Sequence, residues 1–236
     1  MGDDGILELG PDFDLLKNLP VEYRFYCGWD IGRTYDATMG VTIQRKDIDF
    51  KGTRTTQFDV VDIVRIENMP NLIQQAEKIA EYQRQSYFQN HQTKFRIDKS
   101  GLGSGLYDYL MTNHRDLKPY GVTITSGDGY STRNSTYSRT YLINLVRNWI
   151  FKPNFIISSD LPEAKVLRSQ IEAIEEKDTA AGNLIYEVQG HDDALMALAL
   201  ALIPCDYHER YGRQNSEFSK WLRGEIEMRR QAFRDT

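Results

Sequence analysis

Cysteine is scarce in this sequence: Cys27 and Cys205 stand far apart in a chain of 236 residues, with no Cys-x-x-Cys spacing. That excludes a zinc ribbon and a disulfide-built scaffold, and it fits a reducing cytoplasm. Long apolar runs are lacking too. The most continuous one, Ala194 to Ile203, is far shorter than the ~20 residues needed to cross a bilayer, and no basic segment followed by an apolar stretch opens the chain. The sequence predicts a protein with no membrane contact. Basic excess is absent as well. Lys and Arg number 29 against 34 Asp and Glu, a net charge of -5, so any nucleic-acid contact must come from a local basic surface.

Two nucleotide-binding signatures are missing. No Gly-x-x-x-x-Gly-Lys-Ser/Thr occurs, so no ATP-binding phosphate loop is expected. The glycines at Gly101 and Gly103 stop short of a dinucleotide fingerprint, which would need a third glycine where Leu106 stands. No internal repeat is visible.

What is present is an apolar fraction of 40% with 27% charged residues, enough for a substantial core. Residues 1–20, acidic and punctuated by Gly and Pro, read as a linker or tether. Strands are expected into Asp30, over Met39 to Gln44 and over Gln57 to Glu67, as an antiparallel meander. A helix is expected over Asn71 to Asn90, then a strand over Lys94 to Asp98, a helix near Leu106 to Met111 and a strand over Gly121 to Thr125. Ser138 to Asn148 and Leu161 to Glu175 read as helices, Phe155 to Ile157 as a short apolar segment, and Leu184 to Val188 as a last strand. Asp192 to Leu202 predicts a buried helix that Pro204 ends, and the charged residues 207–236 predict a helical tail, with a helix over Ser216 to Phe233. The class is α/β: a mixed β-sheet flanked by α-helices on both faces, occupying residues 21–206.

Three acidic sites punctuate this plan. Gly28-Trp29-Asp30-Ile31-Gly32 ends an apolar strand in a carboxylate, with Asp36-Ala37-Thr38 close behind. Phe95-Arg96-Ile97-Asp98-Lys99-Ser100-Gly101 repeats the design. Gly190-His191-Asp192-Asp193 opens the apolar helix. Singly, each has a plain structural role as a turn aspartate or a helix cap. A helix cap accounts for one aspartate better than for two with a histidine. His191 alone has no zinc spacing to His114 or His208.

Taken together the acids ask for a cation. Two unit charges ~4 Å apart at an effective dielectric of roughly 20 repel by about 4 kcal/mol, and hard oxygen donors suit Mg²⁺ or Mn²⁺. A pair of such ions can support phosphodiester hydrolysis.

On these residues, from Tyr23 to Ile203, the sequence resembles the nuclease domain of the large terminase subunit of tailed bacteriophages, of the RNase H-like superfamily. The most specific carrier is His191-Asp192-Asp193 with the Ala/Leu-rich helix; Ser138 to Leu145 and Leu167 to Glu175 also resemble that family's helices. The resemblance implies an RNase H-like fold and a metal-dependent endonuclease that cuts concatemeric double-stranded DNA with little sequence preference. Asp30, Asp98, Asp192 and Asp193 would be catalytic and hold two Mg²⁺ or Mn²⁺ ions, with His191 a further ligand. Successive helical residues point about 100° apart, so Asp192 and Asp193 need not serve the same ion. Arg33, Lys99, Arg133 and Arg139 are candidate DNA contacts near these motifs, as is Lys51 to Arg54; Thr179 to Asn183 reads as a loop. The glycosylation sequon Asn134-Ser135-Thr136 is discounted, since nothing points to secretion.

The family's full-length subunits also carry an ATPase, which has no phosphate loop here, so the sequence predicts an isolated C-terminal nuclease domain. Implied partners are that ATPase domain, the small terminase subunit and the portal protein, in the cytoplasm of an infected bacterium. The acids alone also permit a Holliday-junction resolvase or a transposase-like nuclease, and a non-catalytic packaging-motor interaction module is the reading from a different class.

Overall fold

The computed structural model describes residues 21–32, 37–50, 53–67, 71–85, 92–127, 129–178 and 184–207. The linker expected over 1–20 and the tail beyond residue 207 lie outside the described residues, as do Arg33, Asp36, Lys51, Gly52 and the loop 179–183.

The meander is present and longer than expected. Strands β1 (Val21–Asp30), β2 (Thr38–Phe50) and β3 (Thr53–Ile66) pair antiparallel in sequence order, with a register shift in the second pairing at Thr42/Ile43. Beyond them the sheet becomes parallel. β4 (Gln92–Asp98) pairs with β1 on one side and β5 (Tyr120–Thr125) on the other. β6 (Tyr130–Ser131), β7 (Thr136–Ser138) and β8 (Phe155–Ile157) complete eight strands in the order β6-β7-β5-β4-β1-β2-β3-β8. β9 (Ile174–Asp178) and β10 (Leu184–Val188) form a separate antiparallel hairpin, so the strand expected at 184–188 exists but stands outside the main sheet.

The helices are α1 (Leu72–Gln83), α2 (Gly103–Asn113), α3 (Arg139–Ile150), α4 (Ala164–Glu172) and α5 over residues 193–207. Two caps follow the usual chemistry: the Asn71 side chain accepts from the Ile73 N–H at 2.9 Å, and the Ser138 hydroxyl from the Tyr141 N–H at 3.1 Å. Because side chains alternate across a strand, β1 feeds two cores. Phe25, Cys27 and Trp29 pack with Ile79, Leu106 and Leu110 of α1 and α2, whereas Tyr26 joins Leu142, Trp149 and the buried residues of α5 on the opposite face. Helices thus cover both faces of a mixed sheet, as expected.

Several boundaries differ from the sequence reading. The helix expected over Asn71 to Asn90 spans Leu72–Gln83, and the one expected from Leu161 begins at Ala164. The helix expected to reach Glu175 stops at Glu172, and Ile174 and Glu175 belong to β9, because Ile174 pairs with Val188 and Glu175 with Glu187. The last helix runs through Pro204 to residue 207. Proline costs one backbone hydrogen bond there, but Leu202, Ile203 and Cys205 are buried around it, and that packing keeps the last turn helical.

Candidate metal centre

Asp30 and Asp98 are the final residues of β1 and β4. These strands are parallel neighbours with Trp29 opposite Ile97, so the next step of the register sets Asp30 beside Asp98 at one edge of the sheet. Strand spacing there is ~4.8 Å. The chain leaves each strand in a fixed way. After Asp30, the Gly32 N–H donates to the Thr38 hydroxyl at 3.0 Å, and that hydroxyl donates to Gln75 Oε1 at 3.0 Å. After Asp98, the Ser100 N–H donates to Asp98 Oδ1 at 2.8 Å. Gly103 then brings the first turn of α2 so close that a Cβ there would lie 2.0 Å from the Asp98 carbonyl oxygen.

The second pair of acids arrives with α5. Asp192 accepts the Met196 N–H through its backbone carbonyl at 2.8 Å, which makes it the residue that opens the helix, and Asp193 is the first residue inside. Buried Gln170 on α4 accepts the Leu195 N–H at 2.9 Å and fixes that first turn. The helix axis is set by Gly28, where a Cβ would fall 2.1 Å from the Ala197 carbonyl oxygen.

The outcome is a pocket of about 370 Å³ that Asp30, Asp98, Asp192, Asp193, Ser100 and Arg139 line. Asp192 is buried and pairs with the Arg139 guanidinium, which is half exposed. Burial, followed by the charges of Asp98, Asp193 and Asp192, pushes the Asp30 carboxyl well above the ordinary carboxylate range, with Arg139 working against the shift. Asp192 is also raised, by burial, again with Arg139 opposing. Among the described residues no three His, Cys, Asp or Glu side chains close into a ready-made metal cage. The donors nevertheless fit a hard divalent cation: they are carboxylate oxygens from three chain segments around one cavity, and the burial and mutual repulsion that disfavour the Asp30 anion are what a cation offsets.

Solved structures with this architecture decide the fold. The chain aligns with the magnesium-bound large terminase nuclease of the thermophilic phage G20c at a TM-score of 0.51, with 16% identity over 76% of this chain and 80% of that one. The large terminase nuclease domain of Thermus phage P74-26 gives a TM-score of 0.50 at 16% identity, over 76% of this chain and 78% of that one. This chain has the fold of a phage large terminase nuclease. A cobalt-bound form of the G20c nuclease aligns at 0.50 with 16% identity, over 76% of this chain and 80% of that one. No family model matches the sequence, and no curated protein does.

Within this terminase-nuclease fold the other candidates are dispersed. His191 is 76% exposed, lies 3.9 Å from Asp193 and lines a neighbouring cavity with Arg65 and Ser169; Asp193 borders both cavities. Lys99 lies over the Tyr107 ring at 5.9 Å, and Arg133 is in the exposed turn after β6. Of the four basic candidates Arg139 lines the carboxylate pocket, and Arg33 is outside the described residues. Ser100 and Gln170 were not singled out from sequence as site residues. Gln170, a polar residue beside the apolar Leu167 of α4, is a signal that could have been read.

Proposed function

We propose that this chain is the nuclease of a viral DNA-packaging terminase, a divalent-metal-dependent endonuclease acting on concatemeric double-stranded DNA with little sequence preference. The observation that carries this reading is the convergence of Asp30, Asp98, Asp192 and Asp193 at one sheet edge, with Asp30 destabilised as an anion by burial and then by the other three. The terminase-nuclease fold supports it.

Asp30 and Asp98, with Asp192 or Asp193, would hold two Mg²⁺ or Mn²⁺ ions. When bound, such ions stabilise charge on a phosphodiester and lower the pKa of attacking water. Arg139 opposes the burial that disfavours the Asp192 anion, and its half-exposed guanidinium lines the pocket a phosphate would enter, so phosphate binding and acid orientation meet in one side chain. The strand ends and the first turn of α5 hold the acids before substrate arrives, which is the preorganisation that phosphate chemistry requires. The ATPase domain, small terminase subunit and portal protein are the partners this role implies, in the cytoplasm of the infected bacterium.

Plasmid cleavage by the purified chain in EDTA, Mg²⁺ or Mn²⁺ tests the reading, with Asp30→Asn as the paired control. Cutting in metal that the variant and EDTA both abolish is the expected result. Wild-type-like cutting by Asp30→Asn would refute the assignment. Faster cutting of a four-way junction than of linear duplex would redirect it to a resolvase.

A further inference from the structure

A cavity of about 480 Å³ lies beside β4, toward the other end of α5 from the carboxylate pocket. Arg96 and Asp98 are two residues apart on β4, so their side chains leave the same face. The α5 residues lining the second cavity begin at Ile203, ten residues and about 15 Å beyond Asp193. Arg139 lines one cavity and Tyr141 the other, both in the first turn of α3.

Arg96 lies in this cavity in an unusual state. Its Nε is buried and meets no hydrogen-bond partner among the described residues, while the guanidinium lies over the Tyr120 ring, 5.3 Å from its centroid. A buried cationic donor without an acceptor is costly, and burial is the leading influence lowering the pKa of Arg96. An anion entering the cavity supplies what is missing. Lys118 adds a second positive charge at the wall, and among the described lining residues the one acid is Asp206, whose carboxylate accepts the Trp149 indole N–H at 3.5 Å.

Much of the remaining wall is aromatic, alongside Thr93, Thr132 and Ile203. Tyr130, half exposed, lies 4.4 Å from Tyr141 between ring centroids, and 6.0 Å from Tyr137 with the planes only 7° apart. Flat π faces beside a guanidinium and an ammonium match a flat base joined to a phosphate: bases stack on tyrosine, and Arg forks onto phosphate oxygens. The volume falls within the ~300–1,000 Å³ of small-ligand sites.

We propose that the Arg96 cavity binds a nucleotide, with its phosphate on Arg96 and Lys118 and its base against Tyr120 and Tyr130. The nucleotide is either free or an unpaired residue of a DNA strand. Nothing in this site depends on the nuclease reading, so failure of one leaves the other standing.

Calorimetric titration of the full chain in EDTA, where metal-dependent cleavage is silent, tests the site with deoxyadenosine monophosphate, a short oligothymidylate and inorganic phosphate. Saturable binding of the nucleotide or the oligonucleotide is expected, weakened roughly tenfold by Tyr130→Ala, retained by Tyr130→Phe and unchanged by Asp30→Asn. Because Tyr130 is half exposed, its truncation leaves the core intact, and circular dichroism checks that it does. Tighter binding of the oligonucleotide assigns the site to a DNA strand, and tighter binding of the monophosphate assigns it to free nucleotide. No saturable binding, equal affinity for inorganic phosphate, or indifference to Tyr130→Ala would overturn the proposal.

Discussion

Gly28 packs β1 directly against the backbone of α5 at Ala197: a Cβ on Gly28 would lie 2.1 Å from the Ala197 carbonyl oxygen and 2.5 Å from the Ala201 nitrogen. Both obstacles are helix backbone, which cannot rotate away as a side chain can. Since Asp30 lies two residues beyond Gly28 and Asp193 four before Ala197, this contact sets how far apart the two pairs of acids stand.

Replacing Gly28 with alanine should therefore lift α5 from the sheet. Overpacking of this kind costs about 1 to 3 kcal/mol. Urea denaturation should show that loss. Metal-dependent cleavage should fall further than the stability loss explains, because the acids separate. An alanine variant with native stability and native cutting would show that the helix position does not set the pocket.

Metal should stabilise the folded chain through Asp30 and Asp98. A ligand that binds only the folded state at a hundred times its Kd adds about 2.7 kcal/mol. Mg²⁺ or Mn²⁺ should thus raise the thermal midpoint of the native chain, and Asp98→Asn should remove most of that rise. In EDTA the same variant should be at least as stable as the native chain, because it relieves carboxylate repulsion on Asp30. The pair of scans separates a lost ligand from a damaged fold.

Much of this centre was legible in the sequence because its parts are local. An apolar strand ending in aspartate is visible at Asp30 and again at Asp98, and the apolar helix after Asp192 and Asp193 reads directly from Ala194 to Leu202. What escaped depends on distant chain. Ile174 and Glu175 look helical until Val188 and Glu187 pair with them, and Pro204 looks like a stop until the packing around Ile203 and Cys205 holds the turn. Arg96 read as one residue of a strand; its cavity is assembled from Tyr120, Tyr130, Tyr141 and Tyr207, which no local pattern brings together.

Cys27 makes alkaline stability a measurable property of the core. Burial pushes its thiol up from the ordinary 9.0 to about 11, with the Thr42 hydroxyl, 3.4 Å away, working the other way. Below pH 9 the thiol is protonated in both states and contributes no slope. Above pH 9 the unfolded chain loses the proton first, so the free energy of unfolding falls with rising pH and levels off near 11. Two units correspond to about 2.7 kcal/mol. Cys205, fully buried and also raised by burial, acts in the same direction. Urea melts from pH 8 to 11 should show the decline, and Cys27→Ser should make it shallower across that window, because its hydroxyl does not titrate there while the Cys205 thiol still contributes.

Arg139 and Asp192 should prove energetically coupled. The arginine side chain is 51% exposed and the aspartate 9%, so removing the cation strands a carboxylate that the protein has already desolvated. Pairs of this mixed burial fall between exposed ion pairs and buried ones, which places Arg139→Gln at a loss of about 1 to 3 kcal/mol. Asp192→Asn in the same chain should recover most of that loss, since an amide needs no counter-charge. A double-mutant cycle in urea reads the coupling directly. Cleavage should behave differently: both single variants and the double variant should be impaired, because Asp192 is then absent as an oxygen donor or Arg139 as a phosphate contact. Recovery of stability without recovery of cutting distinguishes a functional pair from a structural one, and additive stability losses would show that the pair carries no coupling.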